Sequence, residues 1–140
     1  MIWKKDFTLE SLALFCKNTM CETLGIEFVE FGDDYLKCTM PVNANTVQPM
    51  RILHGGASVA LAESIGSIAA YLCLEKENEY SVGLDINANH IRSVKEGNKV
   101  FAICKPYHIG RSTHVWNIEI SDEQNRLVCV SRLTMAIQSM

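Results

Sequence analysis

The sequence lacks the features that mark several large classes of protein. Its 13 basic and 16 acidic side chains are well mixed and give a net charge of −3, so no basic arm or acidic tail points to a nucleic-acid partner. No apolar stretch reaches roughly 18 uncharged residues, so no membrane-spanning helix is expected. The N-terminal residues carry charges with no apolar run behind them, unlike a secretory signal. We therefore expect a cytoplasmic protein whose residues 1–140 form one domain.

Motifs of common enzyme classes and of metal sites are also missing. The six cysteines include no C-x-x-C pair, and without a secretory signal we expect reduced, mostly buried thiols. The four histidines show no H-x-x-x-H or H-E-x-x-H spacing, so no metal site is predicted. The chain has no G-x-S-x-G elbow, no G-x-G-x-x-G turn and no P-loop. These absences exclude a serine α/β-hydrolase, a dinucleotide-binding domain and a P-loop enzyme.

The sequence instead shows one long apolar segment among several short alternating ones. Residues 57–74 contain no proline and a single glycine, and their length favours a helix over a strand. A short helix is predicted after a Thr8 cap, and a hairpin around the turn at residues 32–34. Four more strands are predicted over residues 80–93, 99–107, 113–121 and 127–137. The long helix is small-residue-rich and apolar on most faces, which predicts an α+β fold with about six antiparallel strands wrapped around it.

Glu63 is the only charged residue in the segment "HGGASVALAESIGSIAA". A helix carboxylate commonly reaches solvent or pairs with a base, but the helical neighbours Val59, Ala60, Gly66 and Ser67 include no basic residue. Apolar surroundings would raise the pKa of such a carboxyl, which suits a general base or a nucleophile near neutral pH. Ser67, one turn further on, either hydrogen-bonds a water or the carboxylate, or is a small residue needed for packing.

The start of the long helix offers a second candidate group. Gly55 and Gly56 make either a simple tight turn or a helix start whose free N–H groups face a developing oxyanion. His54 and Gln48 precede this helix start, and Gln48 is held by the following Pro49. A lone loop histidine is commonly a surface residue, yet His54 lies next to the proposed oxyanion site.

The segment "VGLDINANHIR" is interpreted as a strand with one buried face. Alternation places Val82, Leu84, Ile86, Ala88 and His90 on the same face, and the first four mark it as core. His90 then lies where the core meets a pocket edge, or is a partly buried structural histidine. The later segment "HIGRST" is a glycine-containing turn with one cation.

This layout, together with "HGGASVALAE", "GDDYLKCTMPV" and "VGLDINANHIR", resembles the hotdog-fold acyl-CoA thioesterases over nearly the whole chain. It is most similar to the bacterial subgroup of the 1,4-dihydroxy-2-naphthoyl-CoA and enterobactin-proofreading thioesterases. The resemblance implies metal-free hydrolysis of an aromatic or medium-chain acyl thioester, with CoA as part of the substrate and no cofactor. Met50, Arg51 and Ser93 stand where the family usually has an aromatic residue, a glycine and a proline, so the acyl group stays open, as does CoA versus acyl carrier protein.

The resemblance also implies roles for individual residues. Glu63 attacks the thioester carbonyl or activates a water, the Gly55 N–H stabilises the oxyanion, and Gln48 and His54 polarise or place the carbonyl. Ser67 completes the predicted catalytic group. The predicted substrate- and CoA-binding residues are Val82, Gly83, His90, Arg92, Ser93, His108, Gly110, Arg111 and Ser112, with Arg111 reaching a phosphate.

Glu63 follows His54 by nine residues, or about 13 Å along a helix, which is too far for both to act on one carbonyl. We therefore expect sites shared between the subunits of at least a homodimer, and the resemblance to hotdog proteins implies a homotetramer built from two dimers. A hotdog hydratase or dehydratase and a non-catalytic acyl-CoA-binding protein are the alternatives.

Overall fold

One antiparallel sheet and one long helix account for most of the chain. The structure is a computed structural model that describes residues 1–140. Its elements in chain order are α1 (Leu9–Cys16), α2 (Met20–Thr23), β1 (Glu27–Phe31), β2 (Leu36–Pro41), α3 (Gly55–Leu72), β3 (Glu79–His90), β4 (Lys99–Ile109), β5 (Thr113–Ser121) and β6 (Leu127–Ser139). The predicted helices and strands are present, most of them within about two residues of their predicted ends. The single turn α2 was not predicted.

The six strands form one sheet in the order β1-β2-β4-β5-β6-β3, and all neighbouring pairs are antiparallel. The helix α3 packs against strands β2 to β6, so the sheet curls around it. The α3 residues that are buried lie on most faces of the helix: Ala57, Ser58, Leu61, Ala62, Ile65, Gly66, Ile68, Ala69, Ala70 and Leu72. The predicted arrangement of six strands around one apolar helix is confirmed.

The helix α3 begins two residues earlier than predicted because His54 caps it. The Nδ1 atom of His54 accepts a hydrogen bond from the Gly56 N–H at 2.7 Å, in the manner of an N-cap side chain. The two glycines, for which the sequence left a tight turn and a helix start open, are the first residues of the helix. The N-terminal helix α1 has the predicted Thr8 cap, completed by a reciprocal bond from Ser11.

All six cysteines are free, and five of them are buried, as predicted. Burial raises the pKa of the Cys73 thiol to about 12 and that of Cys16, with a contribution from Cys21, also to about 12. These thiols are therefore protonated at neutral pH and are poor nucleophiles.

Strand β3 differs from its prediction. It lies at the edge of the sheet, and Val82 and Leu84 are 42% and 61% exposed, so the predicted burial of this face is wrong for them. A bulge also breaks the alternation, because Gly83 pairs with Met135 while Asp85 pairs with the adjacent Thr134. Gly83, rather than Val82, therefore shares the inner face with Ile86.

No helix of the structure combines the length and the apolar character needed to cross a membrane.

Candidate active site

A cleft of about 320 Å³, called the Gly55 cleft below, opens beside the first turn of α3. It is lined by predicted site residues from three segments of the chain. Gln48 comes from the loop before the helix, Gly55 from the helix itself, and His90, Arg92 and Ser93 from the end of β3 and the connection after it. The remaining walls are Ile52, Leu53, Ser58, Ile91 and Val128. The cleft thus has an apolar lining with a few convergent polar groups, as ligand sites commonly do.

The Gly55 N–H is the one free donor at this helix start. The Gly56 N–H bonds to the His54 side chain, and the N–H groups of Ala57 and Ser58 bond to the His54 carbonyl at 3.0 and 3.2 Å. Gly55 makes no hydrogen bond through its own N–H within the chain. A free N–H at the positive end of an 18-residue helix can stabilise a developing negative charge.

Gly55 also has no room for a side chain. A Cβ at this position would lie 2.9 Å from Nε2 of His90, so the imidazole covers the helix start directly. His90 is the last residue of β3, and it lines the cleft beside Gly55.

Gln48 is held by the turn that follows it. Its backbone N–H bonds to the Ile52 carbonyl and its carbonyl accepts the Arg51 N–H, both at 2.9 Å. Its side-chain Oε1 accepts the Met50 N–H. The side-chain NH₂ makes no hydrogen bond within the chain, and since Gln48 lines the cleft, this group can donate into it.

His54 does not line this cleft. It is exposed, and with Gly56 and Ala60 it borders a separate cleft of about 210 Å³. Since Nδ1 accepts the Gly56 N–H, the neutral ring carries its proton on Nε2. Within one chain, His54 is thus a helix cap beside the free Gly55 N–H rather than a wall of the Gly55 cleft.

Glu63 lies in a different part of the molecule, half-buried between α3 and β3. It has no ion-pair or hydrogen-bond partner within the chain, as its helical neighbours predicted. Its Oε1 lies only 2.5 Å from the position that a Cβ on Gly83 would occupy. The Ser67 hydroxyl faces Met135 Sδ at 3.8 Å, so it does not bond the carboxylate.

The turn between β4 and β5 forms a third group. Gly110 and Arg111 line a cleft of about 450 Å³ together with Lys4 and Lys76. The two lysines pair with glutamates, whereas Arg111 has no carboxylate partner. The remaining predicted residues of this turn, His108 and Ser112, are exposed, and the His108 imidazole lies over Gly110.

The two halves of the predicted catalytic group are therefore apart in one chain. Gly55 and Glu63 are eight residues apart on α3, about 12 Å along the helix axis. Gly55 lies against His90, and Glu63 lies against Gly83. Helix α3 and strand β3 thus run in opposite directions, and both halves lie along the free edge of the sheet.

Comparison with known proteins decides the family. Residues 50–129 match the model of the thioesterase superfamily. The 1,4-dihydroxy-2-naphthoyl-CoA hydrolase of Escherichia coli (strain K12) is 56% identical over 137 residues, which are 98% of this chain and 99% of that protein. The proofreading thioesterase EntH of Cronobacter turicensis is 48% identical over 98% of both chains. The crystal structure of a Haemophilus influenzae thioesterase superposes with a TM-score of 0.95 at 54% identity, covering 99% of this chain and 96% of that one.

The chain belongs to the thioesterase superfamily. Its fold is the hotdog fold of these relatives, and its activity is that of a thioester hydrolase. The resemblance drawn from "HGGASVALAE" and its flanks is thereby confirmed, including the subgroup of the two named relatives.

Sequence reasoning missed one wall of the Gly55 cleft and a contact between the loops beside it. Ser58, one turn after Gly55, lines it and is almost wholly buried. Nothing in the sequence distinguishes Ser58 from the other small residues of α3. The contact between Arg51 and Glu96 was also missed, since 45 residues separate the two side chains. No group of three or more His, Cys, Asp or Glu side chains lies close enough together to hold a metal ion.

Proposed function

We propose that this thioesterase hydrolyses aromatic or medium-chain acyl-CoA in sites shared between the two protomers of a homodimer. Glu63 of one protomer acts on a thioester whose carbonyl oxygen is bound by the Gly55 N–H of the other. The observation that carries the proposal is the separation of these groups on one helix. An unpaired N–H and an unpaired carboxylate lie about 12 Å apart, beyond the reach of a single carbonyl.

The edge strand β3 supports the pairing of two protomers. Its outer edge has no neighbouring strand, and it carries the exposed apolar residues Val82 and Leu84. Long exposed edges with apolar side chains are commonly covered by another chain. Two β3 strands that pair antiparallel about a two-fold axis would bring the Gly83 end of one strand toward the His90 end of the other. Glu63 of one protomer then approaches the Gly55 cleft of the other, and the dimer contains two equal sites.

In such a site, the Gly55 N–H and the Gln48 NH₂ bind the thioester oxygen as negative charge develops on it. Glu63 either takes a proton from the attacking water or attacks the carbonyl carbon itself. In the first case a carbon–oxygen bond to water forms as the carbon–sulfur bond breaks. In the second the thiolate leaves as Glu63 forms an acyl anhydride, which water then hydrolyses to the free acid and the Glu63 carboxylate. In both cases the thiolate is protonated. His54 and Ser67, which lie outside the Gly55 cleft in one chain, act by holding the helix start and the environment of Glu63.

The choice of substrate draws on the two named relatives and on the charges around the clefts. The 56% identity between this chain and a 1,4-dihydroxy-2-naphthoyl-CoA hydrolase favours an aromatic acyl group on CoA as the substrate. Arg92 at the Gly55 cleft and the unpaired Arg111 at the β4–β5 turn suit the phosphates of CoA. We assign the enzyme to the cytoplasm, and we expect two dimers to associate into a tetramer.

The test is thiol release from a panel of aromatic and fatty acyl-CoA substrates, with and without EDTA. We expect metal-independent turnover that is highest for aromatic acyl groups. Glu63→Ala should lower turnover by at least about a hundredfold, while its unfolding midpoint and its binding of a non-hydrolysable CoA thioether stay close to wild type. A variant that keeps more than about a tenth of wild-type turnover would remove Glu63 from the mechanism. Binding of the thioether by a wild type without turnover would instead favour a non-catalytic binder.

A further inference from the structure

Arg51 has a backbone conformation that its side chain disfavours. Its φ angle is +63°, in the left-handed region that glycine occupies readily and residues with a Cβ rarely do. Such a residue is strained and persists only where its surroundings hold it in place. Arg51 lies in the turn after Gln48, and its own N–H bonds to the Gln48 carbonyl. The conformation of Arg51 is therefore coupled to the position of Gln48.

Glu96, in the connection between β3 and β4, supplies the contacts that hold Arg51. Its carboxylate accepts hydrogen bonds from Nε and Nη2 of Arg51 at 2.7 and 2.6 Å, a two-point contact. Its backbone N–H also donates to the Arg51 carbonyl at 3.1 Å. A hydrogen bond from Arg51 lowers the pKa of the Glu96 carboxyl, so the pair is fully charged at neutral pH.

The same two segments are joined further along. Ile52 forms a β-bridge with Lys95, and the Leu53 N–H bonds to the Val94 carbonyl at 2.8 Å. One segment contains Gln48 and ends at the helix start, and the other contains Arg92 and Ser93. The loop before α3 and the loop between β3 and β4, which both line the Gly55 cleft, are thus joined by backbone contacts, and the ion pair of Arg51 and Glu96 lies at one end of them.

We propose that Arg51 and Glu96 are positioning residues that fix the Gln48 side chain toward the Gly55 cleft. The ion pair holds the left-handed turn, and the turn keeps the Met50 N–H on Gln48 Oε1, so that the NH₂ group faces the substrate. Without Glu96, Arg51 relaxes out of the left-handed region and the Gln48 amide loses its fixed orientation. The proposal rests on the proposed function, because Gln48 is assigned there to the thioester oxygen.

The experiment compares Glu96→Gln, Arg51→Gly and the double variant with wild type. Glu96→Gln weakens the ion pair between Arg51 and Glu96, called the clamp below. It should lower kcat by about tenfold while KM changes by less than about twofold, because misplacing an orienting group slows the chemical step. Arg51→Gly should keep kcat within about twofold of wild type, since glycine adopts the left-handed conformation without a clamp. The double variant should recover the activity that Glu96→Gln loses. This recovery is the decisive result. If Glu96 only stabilised the fold, replacing Arg51 with glycine would not restore the activity that Glu96→Gln loses.

A matched control removes another surface ion pair. Arg126 pairs with Asp122 at 2.8 Å in the turn between β5 and β6. Arg126→Gln should leave kcat unchanged, which separates the clamp from a general effect of a lost ion pair.

Hydrogen exchange of residues 48–53 gives a readout that needs no turnover. Glu96→Gln should speed exchange there, and the double variant should restore the wild-type rate. Unchanged exchange and unchanged kcat in Glu96→Gln would overturn the clamp while leaving the proposed function intact. Faster exchange with unchanged kcat, or no recovery in the double variant, would also overturn it. An inactive wild type would instead contradict the proposed function, and the positioning role would fall with it.

Discussion

At the scale of single residues, the candidate site depends on the lack of a polar partner and of a neighbouring side chain beside the Glu63 carboxylate. The carboxylate has no partner in the chain, and it lies against a glycine, Gly83, that leaves room for it. The sequence indicated both residues, Glu63 as a lone charge and Gly83 as part of a family segment. It could not indicate their contact, because that contact depends on the bulge in β3 that turns Gly83 inward.

Gly83→Ala tests this contact. A methyl group at Gly83 would lie 2.5 Å from Glu63 Oε1, so the carboxylate must move. Because the obstructed atom is the end of a flexible side chain, we expect the fold to persist and the unfolding midpoint to stay within a few degrees of wild type. Turnover should fall by roughly tenfold or more as Glu63 leaves its productive position. Ser81→Ala, two residues away on β3, is the control, and steady-state kinetics with thermal unfolding is the measurement. Unchanged turnover in Gly83→Ala would show that the carboxylate reacts from another position.

At the scale of elements, the turn between β5 and β6 is the clearest case of a local structure held by one side chain. Asp122 is 5% exposed, and its carboxylate accepts hydrogen bonds from the N–H groups of Gln124 and Arg126 and from Arg126 Nε, at 2.8 to 3.0 Å. Burial alone would raise the pKa of Asp122, but these donors outweigh burial and lower it. The turn is therefore stabilised by the charged form of Asp122.

Asp122→Asn should lower the unfolding midpoint by several degrees at pH 7 without changing the fold, because asparagine keeps an acceptor but loses the charge. A carboxyl whose pKa is lower in the folded state stabilises fully above its unfolded pKa, near 3.9, and loses that effect as the pH falls through its folded pKa. The difference between wild type and Asp122→Asn should thus be constant from about pH 7 to 5 and shrink below about pH 4. Thermal unfolding followed across this range checks it. A difference that grows in acid would contradict the assignment.

Elements with local signals were predicted well, and those set by tertiary contacts were not. Helix α3 could be predicted because its length, small residues and lack of proline are local properties of the sequence. Strand β3 could be predicted as a strand, but its predicted burial was wrong, since alternation of apolar residues does not distinguish a buried face from an uncovered sheet edge. The start of α3 at Gly55 depended on the His54 cap, which glycines alone do not reveal. The three clusters of site residues follow from strand order and could not be assigned from sequence spacing.

At the scale of the whole molecule, Gly55 and Glu63 lie apart along the β3 edge of the sheet, and the site proposed above needs both from different chains. Light scattering should therefore give at least a dimer at micromolar concentration. A monomer with full activity would contradict the shared site, because neither half-site is complete alone.

Mixing two inactive variants tests the sharing directly. Glu63→Ala removes the acid half of the site and Gln48→Ala damages the donor half, which lie in different protomers of one proposed site. After joint unfolding and refolding, random pairing makes half of the dimers mixed, and each mixed dimer has one site with both defects and one with neither. Activity should therefore return to about a quarter of wild type. Refolding each variant alone is the control, and mass spectrometry of the intact dimers confirms exchange. If exchange occurs without recovery, each protomer builds its own site, and Glu63 and Gly55, about 12 Å apart along α3, do not act on the same carbonyl.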